Sequence, residues 1–171
     1  MNQSTVIIMG PPGAGKSSTA RALAEIVTGE VIDTDHLIEE ATGKKISDIF
    51  TEEGEPHFRE QEEIAVERAL LKATPRRKII SLGGGAVLSP TTQERLKASG
   101  AKIVFLNVSI AHAAPRIGFN RDRPLLMDNP RAKWVALMKE RLSTYESLAQ
   151  MTVDTDGKSA REVAQEIAAS L

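Results

Sequence analysis

Strand and helix patterns alternate along the whole of this 171-residue chain, and the alternation predicts an α/β fold on a central parallel sheet. Two further observations point the same way. The apolar runs are short, rich in β-branched residues and continuous rather than alternating, as strands buried on both faces require. The segments between them place apolar residues at helical spacing.

The first run, TVIIM from Thr5, enters a glycine-rich turn. KSSTARALAEIV follows, with Ala20, Leu23, Ala24 and Val27 on one helical stripe. EVID from Glu30 is the second strand, and HFREQEEIAVERALLKA from His57 is a long amphipathic helix. PRRK from Pro75 reads as a solvated connection into the third strand, KIISL from Lys78. SPTTQERLKASG opens with Ser89-Pro90 and stops at Gly100, the start and stop signals of a helix. KIVFLNV from Lys102 and MTVD from Met151 are the fourth and fifth strands. SAREVAQEIAASL opens with a capping box, Ser159 to Glu162, and offers Val163, Ile167 and Leu171 for burial.

Two stretches interrupt this rhythm. Residues 36–62 suggest short helices with many charges, and 117–130, IGFNRDRPLLMDNP, is rich in Gly, Asn, Arg and Pro. Additions of this kind are natural substrate covers and lids. There is no repeat, low-complexity tract or linker, so 1–171 is expected to be one domain.

Composition narrows the function. Hydrophobic residues make up 41% and charged residues 26%, the balance of a soluble globular chain. A net charge of -1 supplies no field for steering toward nucleic acid. With no cysteine, disulfides and thiolate metal sites are excluded, which suits a reducing cytoplasm. MNQSTVIIMG has no basic n-region, and no apolar run approaches membrane-spanning length. His36, His57 and His112 are scattered, without metal-ligand spacing.

The turn after the first strand carries the chemistry. GPPGAGKSS places Gly10, four residues, then Gly15-Lys16-Ser17, the P-loop pattern, with a strand before it and a helix after. Glycines let the backbone curl so that several N–H groups point at one phosphate. The helix offers its positive end. On this reading Gly13, Ala14, Gly15, Lys16, Ser17 and Ser18 hold ATP, Lys16 reaches the β- and γ-phosphates, and the Ser17 hydroxyl goes to Mg²⁺. The chain is short for an ATPase motor and lacks a guanine-reading Asn-Lys-x-Asp, which leaves a small-metabolite kinase.

VIDTDHLIEE, from Val31, puts Asp33 and Asp35 at the end of the second strand. Locally, an Asp there is a turn former or helix cap as readily as a functional group. In an extended segment residues two apart share a face, so both carboxylates are expected to face one cavity. Arg59 and Glu62 share a helical face, which by itself describes a surface ion pair. Gly83-Gly84-Gly85 costs chain entropy that a plain turn need not spend, and suggests bare N–H groups approached by a ligand.

Taken together, GPPGAGKS, DTD at Asp33, TGKKISDIF at Thr42, GEPHFREQE at Gly54, SLGGGAV at Ser81, RPLL at Arg123 and RLSTY at Arg141 resemble the shikimate kinase family along essentially the whole chain. The resemblance implies a P-loop kinase fold with sheet order 2-3-1-4-5, a substrate-binding segment at about 35–62 and a mobile lid at about 117–130. It implies transfer of the ATP γ-phosphate to the 3-hydroxyl of shikimate with Mg²⁺, on the route to chorismate and aromatic amino acids, by a cytoplasmic monomer.

It also assigns roles. Ser17 and Asp33 serve the metal, and Asp35 accepts from substrate hydroxyls and is the candidate base. Arg59 clamps the carboxylate with Glu62 orienting it, and Arg141 is a second carboxylate partner. Gly83, Gly84 and Gly85 meet the ring, and Phe58 packs near the site. Arg116 faces adenine and Arg123 stabilises the transferring group, with Arg121 a competitor for that role. Trp134, apart from the resemblance, is expected to pack in the helix after the lid. Three departures stand out: Ala14 where Ser or Cys is usual, and no Pro in either RLSTY or VDTDGKSA. The contacts of Asp156, Gly157 and Lys158 with the base stay open. A kinase for another hydroxy acid, such as gluconate, is the nearest alternative, and a nucleotide-binding regulator without transfer activity the more distant one.

Overall fold

A computed structural model describes residues 5–117 and 129–171. Among them, strands β1 (Val6–Met9), β2 (Glu30–Asp33), β3 (Lys78–Ser81), β4 (Lys102–Asn107) and β5 (Met151–Asp154) form one sheet in the order β2-β3-β1-β4-β5. All four pairings are parallel, so every strand ends at the same edge.

The helices are α1 (Lys16–Val27), α2 (Thr34–Thr42), α3 (Ile46–Glu53), α4 (Glu55–Leu71), α5 (Pro90–Ala98), α6 (Ile110–Ile117), α7 (Pro130–Leu148) and α8 (Ala160–Ala169). They cover both faces of the sheet. In β1, Val6 and Ile8 pack with Leu23 of α1 and with Val163 and Ile167 of α8, while Ile7 and Met9 pack with Val66 of α4 and Tyr145 of α7. That two-sided burial is why the strand reads as an unbroken apolar run. A smaller cluster, Ile38, Ile49, Phe58 and Ala65, ties α2 and α3 to α4 as a lobe beside the β2–β3 edge.

Three helices begin with a proline, at Pro56, Pro90 and Pro130, where the missing N–H costs no helical bond. Pro56 therefore starts α4 at Glu55, two residues earlier than the periodicity suggests. Ser89 caps α5 by accepting from Thr92 N, and Ser159 caps α8 by accepting from Glu162 N at 3.1 Å. Two expectations are corrected. Leu171 lies beyond α8 and is exposed. Lys78, at the end of PRRK, is buried: its ammonium donates to Leu70 O at 2.6 Å and Lys72 O at 2.9 Å, satisfying carbonyls at the C-terminus of α4. Among the described residues no helix is long and apolar enough to cross a membrane.

Candidate active site

The P-loop leaves β1 at the C-terminal edge of the sheet, where ligands of doubly wound folds gather. Gly13 (φ 82°) and Gly15 (φ 84°) are left-handed, a conformation in which a side chain is strained. Gly13 is also crowded by Ala113 of α6, whose backbone would lie 3.0 Å from an added Cβ. Gly15 is the N-cap of α1, so Lys16 and Ser17 open that helix, at its positive end. Lys16 Nζ donates to Pro11 O at 3.1 Å. A cavity of about 460 Å³ opens over the loop and is lined by Lys16, Ser17, Ser18, Asp33, Asp35, Gly84 and Arg116 among others.

The two carboxylates of DTD are not equivalent. Asp33 ends β2 in extended conformation and is the N-cap of α2: its Oδ1 accepts from Asp35 N at 2.9 Å and His36 N at 3.3 Å. Its Oδ2 accepts from Ser17 Oγ at 2.8 Å. Asp33 is thus both helix cap and partner of the P-loop serine, one oxygen for each. Asp35 is not in an extended segment, as the spacing argument assumed, because the cap at Asp33 turns the chain into helix at Thr34. Both carboxylates still line the cavity, Asp35 from the first turn of α2. Thr34, fully buried between them, accepts from Gly83 N at 3.0 Å and donates to Ser81 O at 3.4 Å. Its hydroxyl pins the strand β3 exit to the start of α2, a role nothing in its local sequence signals.

The three glycines are explained by space rather than by φ. An added Cβ at Gly83 would lie 2.7 Å from Asp35 Oδ1 and 2.8 Å from Glu62 Oε2, and one at Gly84 3.4 Å from Arg141 Nη1. At Gly85 it would fall inside the Arg59 guanidinium. Side chains, not exposed N–H groups, occupy the room the glycines leave. Gly83 N–H is already committed to Thr34, which corrects the expectation of a bare N–H at that one position.

Around this loop α4 and α7 assemble a buried charge network. Arg59 Nη1 donates to Glu62 Oε1 at 2.7 Å, and its Nη2 donates to Glu55 Oε1 at 3.2 Å. The surface ion pair that local sequence suggests is therefore only half true: Glu62 is 3% exposed. Burial pushes the Glu62 carboxyl up from its usual range, against the pull of the Arg59 and Arg141 cations. Arg141 is equally buried, and its Nε has no hydrogen-bond partner among the described residues. An unmatched buried guanidinium donor suits an anionic ligand. Phe58 is buried at the base of α4, its ring 4.7 Å from that of Phe50.

Gly85→Ala is expected to raise the KM of the acceptor about 10-fold and to lower the melting temperature, because the added methyl displaces the Arg59 guanidinium from the buried Glu62 and moves no backbone. Initial rates and thermal unfolding of the same preparation check both halves; an unchanged KM would separate Arg59 from the acceptor.

Known proteins give this arrangement its place. Residues 12–171 match the family model described as Shikimate kinase. The chain belongs to the shikimate kinase family. It is 44% identical to a shikimate kinase of Thermobifida fusca over 96% of this chain and 93% of that protein. A shikimate kinase of Rhodococcus jostii is 42% identical over 96% of both. Among solved structures, the shikimate kinase of Acinetobacter baumannii in complex with shikimate superposes with a TM-score of 0.92 at 33% identity, over 98% of this chain and 92% of that one.

The remaining residues singled out by the family pattern divide in three. Arg116 of α6 lies on the P-loop, its Nη1 donating to Gly13 O at 2.9 Å. Asp156, in the turn after β5, accepts from Ser109 N at 3.0 Å and approaches His112 Nδ1 at 3.4 Å. The Ser109 backbone hydrogen bond holds its carboxyl below the usual range. Arg121, Arg123 and most of the 117–130 segment lie outside the described residues. Two residues were undervalued by the sequence. Trp134 is buried, as packing requires, but its Nε1–H also donates to Pro12 O in the P-loop at 2.8 Å. Tyr145 donates its hydroxyl to Gly84 O at 2.6 Å, and burial holds that hydroxyl protonated, its pKa pushed up to about 12.

A magnesium site fits this chemistry without an all-protein cage. No cluster of three or more His, Cys, Asp or Glu able to hold a metal occurs among the described residues. Mg²⁺ in kinases takes one or two protein oxygens and completes its shell with waters and substrate phosphates. The Ser17 hydroxyl and Asp33 Oδ2, in contact beside the P-loop, supply hard oxygens of the required kind.

Proposed function

We propose that this chain transfers the γ-phosphoryl group of ATP to the 3-hydroxyl of shikimate, giving shikimate 3-phosphate and ADP. The observation that carries the reading is the convergence of Asp35, Glu62, Arg59 and Arg141 on Gly83–Gly85, next to the P-loop cavity. Two arginines suit a carboxylate, and an aspartate suits hydroxyls. Shikimate carries one carboxylate and three hydroxyls on a small ring, and the Acinetobacter baumannii relative was solved with shikimate bound.

Each group has a task. Lys16, Gly13, Ala14, Gly15, Ser17 and Ser18 hold the phosphates. Ser17 and Asp33 hold Mg²⁺, which when bound neutralises charge building on the β- and γ-phosphates. Arg59 and Arg141 grip the carboxylate, and Glu62 keeps Arg59 aimed. Asp35 accepts from the ring hydroxyls. As the bond from the 3-oxygen to the γ-phosphorus forms and the bond to the β–γ bridging oxygen breaks, the hydroxyl proton passes to Asp35, and the electron pair leaves with ADP. Arg116 borders the nucleoside side, and Arg123 completes the neutralisation of the transferring group. Residues 35–62 then form the acceptor-binding segment of a single domain that works as a cytoplasmic monomer.

ADP release in the presence of ATP, Mg²⁺ and shikimate is expected to exceed that with gluconate by at least about 100-fold, because buried polar groups left unmatched reject the wrong acceptor. Equal release with gluconate, or the same release with no acceptor, would overturn the assignment.

A further inference from the structure

Helix α7 reaches both loops of the site through contacts that the transfer step does not need. Near its N-terminus, the Trp134 indole donates to Pro12 O of the P-loop at 2.8 Å. Near its C-terminus, the Tyr145 hydroxyl donates to Gly84 O at 2.6 Å. Both side chains are buried, and the Tyr145 ring stacks on Phe105 of β4 with centroids 4.9 Å apart and planes at 17°. The helical rise sets the two residues about 16 Å apart along one rigid element. The loops also meet directly: an added Cβ at Gly84 would sit 3.4 Å from Gly10 O and 3.5 Å from Pro12 Cδ.

We infer that Trp134 and Tyr145 are positioning residues which make α7 a brace, fixing the separation between the phosphate loop and the glycine loop. Both bonds run to loop carbonyls, so they leave the P-loop N–H groups to the phosphates. Neither side chain is assigned to the reacting atoms: Trp134 acts through the loop it holds, and Tyr145 through its loop and through the Arg141 side chain beside its hydroxyl. Transfer needs the acceptor oxygen and the γ-phosphorus in line at near-contact distance, and a misplacement of about 1 Å costs on the order of 100-fold. The other side-chain anchors, Thr34 on Gly83 N and Arg116 on Gly13 O, tie the two loops to different helices and leave their separation free. Anchoring both to one helix removes that freedom. This inference rests on the acceptor assignment made above.

The test is a double-mutant cycle with Trp134→Phe, Tyr145→Phe and the double variant. It measures kcat/KM for shikimate at saturating ATP and Mg²⁺, together with thermal unfolding. Each single change removes the hydrogen bond to a loop carbonyl and keeps an aromatic ring, and Tyr145→Phe also removes the hydroxyl's contact with the Arg141 side chain. Each is expected to lower kcat/KM about 10-fold. The double variant is expected to lose far less than the product of the two, since releasing either end already frees the loops. Residues this far apart with no shared partner are otherwise additive. A double loss matching that product within about twofold therefore overturns the brace. Single variants with lowered melting temperature and unchanged kcat/KM overturn it too, as a purely stabilising role predicts. Should Trp134→Phe fail to fold, Trp134→Tyr keeps a larger ring without the indole N–H. A wild-type protein that does not turn over shikimate sinks the acceptor assignment instead, and the cycle is then run on whichever acceptor is used.

Discussion

Lys16→Met is expected to fold normally and to lose about 10²–10³-fold in turnover, the scale of one preorganised charge-stabilising donor. Lys16 is only partly buried at the start of α1, and its ammonium donates to Pro11 O at 3.1 Å, within its own loop. Methionine is a good helix former of similar length, so neither α1 nor the core against β1 depends on the ammonium. Transfer does, because phosphoryl chemistry leaves the protein little to do beyond positioning and neutralising charge. Single-turnover rates alongside circular dichroism decide it. A folded variant with near-normal turnover would remove Lys16, and with it the P-loop assignment, from the mechanism.

The second large effect separates Asp33 from Asp35. Asp35→Asn is expected to weaken shikimate binding and cut turnover by about 10²-fold or more, with little change in the Mg²⁺ requirement. Asp33→Asn is expected to do the reverse, raising the Mg²⁺ concentration needed and leaving binary shikimate binding nearly intact. Asparagine caps helices as well as aspartate does, so Asp33→Asn keeps the bonds to Asp35 N and His36 N that start α2. Asp33→Ala loses them, and its melting temperature falls by an amount equivalent to about 1 kcal/mol. It then disturbs both ligands, because Asp35 rides on the first turn of the helix that Asp33 caps. Separate Mg²⁺ and shikimate titrations of the three variants test the division. Equal shifts in both titrations for Asp33→Asn and Asp35→Asn would mean that the two carboxylates act as one site.

Some of this was open to reading in one dimension, because it depends on local chemistry. Short continuous β-branched runs such as VIIM and KIVFLN suit strands covered on both faces, and β1 is covered on both. Gly13 and Gly15 take the left-handed conformation that the P-loop spacing requires. Helix α6 was obscured by Pro115, which sits inside it and argues against a helix when read locally. Lys78 was misread for a different reason. Charge pattern carries no information about which carbonyls a buried ammonium will find, even when they lie only six and eight residues back, at Lys72 and Leu70.

The sequence by itself determined the apolar runs that became strands and the phosphate loop, since each is a matter of residue type and spacing along the chain, whereas the charged residues expected at the site were implied by the family resemblance. It also marked Gly83–Gly85 as costly. Why they are glycines was decided only by tertiary structure. Asp35 comes from α2, Arg59 and Glu62 from α4, and Arg141 from α7, and their side chains take the volume that Cβ atoms would need. The same holds for the second task of Asp33, for Thr34 against Gly83 N, and for Trp134 and Tyr145 against the two loops. A hydrogen bond between residues 122 apart in the chain, as between Trp134 and Pro12, leaves no periodic trace, because its partner is chosen by packing rather than by neighbours in sequence.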